Sequence, residues 1–109
     1  MAYGKAITKF VRISPRKARL AAGLIRGLSV NEAKSQLAFC GLKGGRLLQK
    51  TLNSAVANAE YQHEVDRADL EVIEVRVDEG PTLKRAKPKN KGGRHPIMKR
   101  TSHFTVVVG

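Results

Sequence analysis

Three segments of the chain have the apolar patterns of β-strands, and three others have apolar residues at helical spacing. Strands are predicted at residues 5–13, 70–77 and 104–108, and the helices between the first two of them. Within the second strand, one face is expected to hold Ile73, Val75 and Val77 and the other face Glu74 and Arg76. The pattern predicts an α+β fold, with a small three-stranded antiparallel sheet packed on three helices.

Capping residues mark the ends of the first two helices. Ser14 is a candidate N-cap with Pro15 at the first helical position, and Gly27 is expected to end that helix. The segment Ser29-Val30-Asn31-Glu32 has the form of a capping box, which predicts the start of the second helix.

Glycines separate the second helix from the third. Gly41, Gly44 and Gly45 are expected to break the chain, so the third helix is predicted from about Arg46 to Tyr61. The apolar face of that helix is rich in alanine, which implies close packing against its neighbours.

The last third of the chain begins and ends in strand-like runs, but its middle contains almost nothing that could enter a core. Residues 90–93 are suited to reversing an antiparallel pair. With the turn there, Arg85 is expected near Met98 and Val77 near Val106, and roughly ten residues per strand would project on the order of 30 Å. Since a two-stranded ribbon is marginally stable alone in water, a disordered basic loop is the alternative.

The length of 109 residues fits one modest domain. We expect residues 1–109 to form a single domain, whose globular body comprises about 1–80 and 103–109. The remaining segment, about 81–102, is expected to form the extended β-hairpin.

The charges are segregated along the chain, and the formal net charge is +12. Residues 1–59 hold one acid, residues 60–80 hold eight, and residues 81–109 hold none. Two separate cationic regions indicate two regions of contact with a polyanion, with nucleic acid first and an anionic membrane surface second. The acidic segment is expected to face solvent or another protein.

Candidate chemistry for an enzyme is weak. His63, His95, His103 and the single Cys40 are too scattered for a metal site, and no serine or cysteine has a histidine and carboxylate at a suggestive spacing. We therefore predict no enzyme activity, no metal and no cofactor. Lacking an apolar signal segment or membrane span, the protein is expected in the cytoplasm.

Nucleic acid is the better supported partner. The first helix is predicted to present Arg16, Arg19 and Arg26 on the side opposite its apolar face, although a solvated face is the alternative. Few aromatic residues are present, which argues against a platform for stacking single strands. The remaining mode is recognition of the backbone and shape of structured nucleic acid.

Four blocks of sequence resemble the bacterial large-subunit ribosomal proteins of the L-twenty-two family, in that family's order and spacing. They are VRISPRKARL at 11–20 with LIRG at 24–27, NSAVANAE at 53–60, VDEGPTLKRAKPK at 77–89 and IMKRTSHFTVVV at 97–108. The resemblance implies a compact body on large-subunit rRNA near the polypeptide exit and a β-hairpin threaded inward. It also implies contacts with several rRNA domains, a role in subunit assembly, and a hairpin tip that lines the nascent-peptide tunnel across from the L-four family protein.

Site residues carried over from this family fall into three groups. The rRNA contacts of the hairpin would be Lys84, Arg85, Lys87, Lys89, Lys91, Arg94, Lys99 and Arg100. The rRNA contacts of the body would be Arg12, Ser14, Arg16, Lys17 and Arg19. The tip beside the nascent polypeptide would be Asn90, Lys91, Gly92, Gly93 and Arg94, where this chain departs from the family by placing Gly93 before the basic residue.

Two other classes of protein remain as alternatives. A DNA-bending architectural protein would also use a basic β-arm, but it would usually need a dimer, whereas we expect a monomer off the ribosome. A peripheral membrane protein would need large apolar residues opposite a basic helix face, and the first helix is alanine-rich there.

Overall fold

The computed structural model describes residues 3–88 and 94–109. The elements follow the order β1 (Gly4–Val11), α1 (Pro15–Ile25), α2 (Val30–Phe39), α3 (Lys43–His63), β2 (Val72–Glu79), β3 (Leu83–Pro88), β4 (Arg94–Lys99) and β5 (Ser102–Val108), with a short 3-10 turn at Arg67–Asp69 before β2. The predicted α+β class is therefore confirmed.

The body contains a three-stranded antiparallel sheet in the order β1-β5-β2. The last strand lies in the middle, where Lys5 pairs with Val107 on one side and Val77 pairs with Phe104 on the other. Its central position explains the nearly continuous apolar run of β5, since six of its seven residues are buried. Strands β1 and β2 form the two edges of this sheet.

The capping predictions for α1 and α2 are confirmed. The Ser14 side chain accepts a hydrogen bond from the Lys17 N–H, and the Ser29 side chain accepts one from the Glu32 N–H. Gly27 follows α1 with a φ of 80°, which a residue with a side chain adopts only at a cost.

The predicted start of α3 is wrong by one turn, because Gly44 and Gly45 lie inside the helix and are buried. A Cβ at position 45 would collide with the Cys40 Sγ and come within 3.2 Å of the Leu37 carbonyl oxygen. Gly45 therefore lets α3 approach α2 closely, and Gly44, where an added Cβ would lie 3.3 Å from the Ala18 Cα, lets α3 approach α1; neither glycine breaks the chain.

The core lies between the sheet and the three helices. Its largest fully buried side chains include Phe104 from the sheet, Ile25 from α1, Leu37 from α2, and Leu48 and Leu52 from α3. The alanine faces of α1 and α3 are fully buried as well, at Ala18, Ala21, Ala22, Ala55 and Ala59. Small side chains at these positions let the helices pack closely, as the alanine-rich pattern predicts.

The predicted face of β2 is correct for Val75 and Val77 but wrong for Ile73. The register with β5 shifts between Val72 and Glu74, so Ile73 is the extra residue of a bulge. Its side chain is 51% exposed as a result.

Strands β3 and β4 form a separate two-stranded antiparallel sheet, which we call the arm. Its six residue pairs extend about 20 Å along the strands. Arg85 pairs with Ile97, not with Met98, and Val77 pairs with Phe104, not with Val106, so the expected register is wrong by one residue in the arm and by two in the sheet of the body. Three residues separate β2 from β3 but only two separate β4 from β5, and this inequality changes the register between the two sheets.

Candidate nucleic-acid interface

A shallow depression of about 670 Å³ lies where the N-terminal ends of α1 and α3 meet the base of the arm. Among the residues that the structure describes, four cationic residues and no acid line it. The described lining is Arg12, Ile13, Ser14, Lys17, Leu20, Leu42, Lys43, Gly44 and Arg100. The structure thus brings three of the predicted body residues together with Arg100, which the sequence assigned to the hairpin.

The segment between β1 and α1 is held against this depression by hydrogen bonds from distant elements. The Ser102 hydroxyl donates to the Ile13 carbonyl at 2.7 Å, and the Lys43 Nζ donates to the Arg12 carbonyl at 3.0 Å. Burial of the Ile13 side chain adds an apolar anchor. Arg12 therefore projects from a fixed main chain, although its own side chain is exposed.

A second depression of about 570 Å³ adjoins the first and shares Ser14, Lys17, Leu20 and Arg100 with it. It adds Pro15, Arg16, Arg19 and Glu79 to the lining. We call the two together the basic cleft. Its cations are Arg12, Arg16, Lys17, Arg19, Lys43 and Arg100.

The acidic residues of the chain do not neutralise this cleft. Within residues 3–88 and 94–109, the ion pairs join Arg67 to Glu60 and Arg76 to Glu74 and Asp78, all in the acidic segment. Among the described lining residues of the cleft, Glu79 is the one acid. The cleft therefore keeps a positive potential, which attracts phosphate groups.

Arg19 and Arg26 have an additional contact that the sequence pattern did not predict. The Arg19 guanidinium donates from Nε and Nη2 to the Val77 carbonyl at 3.3 and 3.1 Å, and the Arg26 Nη2 donates to the Val75 carbonyl at 2.8 Å. These carbonyls lie on β2, an edge of the sheet, so the two arginines satisfy main-chain groups that no strand pairs. Two members of the predicted stripe thus connect α1 to the sheet.

The other predicted body residues differ in their contacts. Among the described residues, Arg16 and Lys17 make no side-chain hydrogen bond or ion pair, and both are exposed. Ser14 is the N-cap of α1, so its hydroxyl has a structural partner in the Lys17 N–H at 3.3 Å.

The predicted hairpin residues fall partly within the arm. Lys84, Arg85 and Lys87 lie on β3, Arg94 and Lys99 lie on β4, and Arg100 follows β4. Exposed side chains are seen at Lys99 and Arg100. Outside the described residues lie Lys89, Asn90, Lys91, Gly92 and Gly93.

Lys43 is a cleft residue that the sequence analysis missed. It is the first residue of α3, a position that the expected break at Gly44 and Gly45 assigned to a loop. In the sequence, Lys43 directly precedes two small residues that can begin a helix. It was missed because Gly44 and Gly45 were interpreted as turn residues.

Comparison with known proteins identifies the class of molecule to which this surface belongs. A model of the family described as "Ribosomal protein L22p/L17e" matches residues 6–109. The chain belongs to the ribosomal protein L22p/L17e family.

Relatives agree with this assignment over nearly the whole length. The "Large ribosomal subunit protein uL22" of Protochlamydia amoebophila is 77% identical over 108 residues, 99% of this chain and 97% of the relative. Proteins with the same name from Chlamydia abortus and Chlamydia pneumoniae are 64% and 62% identical over 105 residues, 96% of this chain and 95% of each relative.

Membership of the L22p/L17e family confirms the suspected resemblance. It also confirms the predicted class, a structural protein of the large ribosomal subunit and not an enzyme. Within the described part of the chain, no three residues of the types His, Cys, Asp and Glu lie close enough together to hold a metal ion. No helix described in the structure has the length and apolarity needed to cross a membrane.

Proposed function

We propose that this large-subunit protein binds rRNA through both the basic cleft and the arm. The observation that carries the proposal is the position of Arg100, at the base of the arm, beside Arg12, Lys17 and Lys43 of the body. An RNA segment that passes the base of the arm would contact body and arm at once. Phosphate contacts at such a surface release condensed counterions and give a strongly salt-dependent affinity.

The shape of the cleft favours contacts with the RNA backbone over enclosure of a small ligand. It is shallow, and its cationic residues are exposed. Exposed lysine and arginine side chains can adapt to phosphates without first losing many contacts of their own. Arg19 retains guanidinium donors beyond the two that bind the Val77 carbonyl, so a phosphate contact there is compatible with its structural role.

The proposal extends to the position of the protein in the cytoplasmic ribosome. The chain is a single domain, monomeric off the ribosome, whose arm runs into the rRNA and contacts several of its domains. The tip, residues 90–94, lines the nascent-polypeptide exit tunnel across from the L-four family protein, and these contacts assist early assembly of the large subunit. Family membership and the antiparallel pairing of β3 with β4 support this extension.

Measuring rRNA affinity against salt concentration tests the cleft. Lys17 and Arg100 line both depressions, and replacing both with Gln removes two charges from the centre of the cleft. We expect weaker binding to deproteinised large-subunit rRNA and a slope of log affinity against log salt reduced by about 0.7 to 0.9 per charge.

The matched control is Lys50→Gln, which removes an exposed charge of α3 outside the cleft lining. Its salt slope should stay close to that of the wild type. Equal slopes for wild type and the Lys17→Gln, Arg100→Gln variant would show that the cleft does not contact phosphate.

A further inference from the structure

Phe10 has a backbone conformation that is unusual for a residue with a large side chain. Its φ is 59°, and Glu64 is the other non-glycine residue with a positive φ in the described part of the chain. Glu64 closes the C-terminus of α3, where a left-handed residue is common and its N–H bonds to the Glu60 carbonyl. Phe10 lies instead within β1, where the register with β5 is interrupted between Thr8 and Val11.

The interruption turns the Phe10 side chain towards solvent. The residue is 62% exposed, so it contributes little to the core of the body. Strained backbone of this kind persists where the surrounding structure enforces it, and it is concentrated at binding sites. A role of the exposed ring in binding, and not in the core, would account for a phenylalanine at this position.

His103 holds the Phe10 residue in place from β5. The two ring centroids are 5.1 Å apart with an interplanar angle of 89°, and the Phe10 N–H donates to the His103 Nδ1 at 3.1 Å. Because the rings are perpendicular, His103 can cover at most one face of the phenyl ring. With the residue 62% exposed, the phenyl ring keeps surface for contact with another flat group.

Other exposed aromatic residues lack this arrangement. Phe39 and Tyr61 are 88% and 90% exposed on α2 and α3, and the aromatic contacts in the described residues join Tyr3 to His63 and Phe10 to His103. Among the described residues, Phe10 is therefore the strongly exposed aromatic residue whose ring is oriented by contact with a second ring.

We propose that the exposed ring of Phe10 stacks on one unpaired nucleobase of the rRNA. The flat face of a base fits a phenyl face of fixed orientation, and stacking of this kind tolerates any base. Lys9 and Arg12, both exposed, flank Phe10 in the sequence, and Arg12 also lines the basic cleft. A base on Phe10 would thus belong to a strand whose phosphates reach the cleft, so this inference rests on the proposed function.

Tryptophan fluorescence tests the stacking directly, because the chain has no tryptophan of its own. Phe10→Trp places a single reporter at the site, and Phe39→Trp places one on an exposed helix end as a matched control. During titration with deproteinised large-subunit rRNA, we expect strong quenching of the reporter at position 10 and little change at position 39. An unchanged signal at position 10 while filter retention shows saturated binding would overturn the proposal.

Affinity measurements give a second test with conservative variants. Phe10→Leu keeps an apolar side chain and the same backbone strain, and we expect its rRNA affinity to fall about 5- to 100-fold, as for loss of one stacked base. Phe10→Tyr should bind close to wild type. Asparagine tolerates the left-handed conformation better than leucine does. Phe10→Asn should therefore bind rRNA as weakly as Phe10→Leu but unfold at a higher temperature than Phe10→Leu.

The outcomes separate this inference from the proposed function. If wild-type protein does not bind the rRNA, the proposed function fails and this inference fails with it. If wild type binds and Phe10→Leu binds equally well, only the stacking inference is overturned. Equal binding of Phe10→Leu combined with poor incorporation into large subunits would overturn stacking and assign the ring to a neighbouring protein.

Discussion

Arg19 and Arg26 lie seven residues apart on α1 and at its C-terminal end, and both donate hydrogen bonds to carbonyls of β2. The sequence predicted that they share a helix face with Arg16, because residues seven apart lie two turns apart. Periodicity identifies such a face but not what lies opposite it. The contact with an edge strand depends on tertiary packing between residues 58 and 49 positions apart, and no local pattern carries that information.

Removing the Arg19 guanidinium should therefore reduce stability. For Arg19→Met, which keeps an apolar stem, we expect the free energy of unfolding to fall by about 1 to 2 kcal/mol, because the Val77 carbonyl loses a charged donor. Urea denaturation measures the change. Arg16→Met is the control and should change stability by less than about 0.5 kcal/mol, as for an exposed residue without such a partner; equal losses would contradict the structural role of Arg19.

At the scale of elements, most predictions held and the errors share one cause. Local chemistry predicted the caps at Ser14 and Ser29 and the end of α1 near Gly27, because each depends on residues within one turn. The errors at Gly45, at Ile73 and in the arm register depend on how two separate elements pack or pair with each other. A glycine has the same local signature whether it breaks a helix or admits a neighbouring one.

Alanine substitutions distinguish a glycine at a close contact between helices, Gly45, from an exposed glycine, Gly23. Gly45→Ala should destabilise the protein by about 1 to 3 kcal/mol, since the added Cβ displaces the Cys40 Sγ from its hydrogen bond to the Leu37 carbonyl and lies only 3.2 Å from that carbonyl oxygen. Gly23→Ala is the control. It lies exposed within α1 with nothing within 4 Å of the added Cβ, so it should stabilise the protein by up to about 1 kcal/mol.

Thermal or urea unfolding of the two variants checks this prediction. Opposite signs are expected although the chemical change is the same. A stabilising Gly45→Ala would show that α2 and α3 are less closely packed than the structure indicates.

At the scale of the whole molecule, segregation of charge predicted a polyanion-binding surface, and the structure shows where cations of the body and of the arm's base lie together. The meeting of Arg100 with Arg12 and Lys43 could not be predicted, because these residues come from three separate parts of the chain. Lys43 and Phe10 were missed for related reasons. One was hidden by the misplaced start of α3, and the other lies in a bulge that the alternation within β1 does not reveal.

The body and the arm are proposed to be two rRNA-binding regions of one protein. A chain that lacks residues 84–99 should still unfold cooperatively, because the buried core lies in the sheet and helices of the body. It should also keep the body residues of the cleft, Arg12, Lys17 and Lys43. This truncated chain provides the control for the arm.

Retention on large ribosomal subunits through a high-salt wash tests the central claim most directly. Full-length protein and the chain lacking residues 84–99 would each be incorporated into subunits, sedimented, and quantified before and after the wash. We expect the full-length chain to remain bound, because contacts of both arm and cleft must be lost together, and the truncated chain to be released at lower salt. Release of the full-length chain in the wash, or equal retention of both chains, would contradict the account.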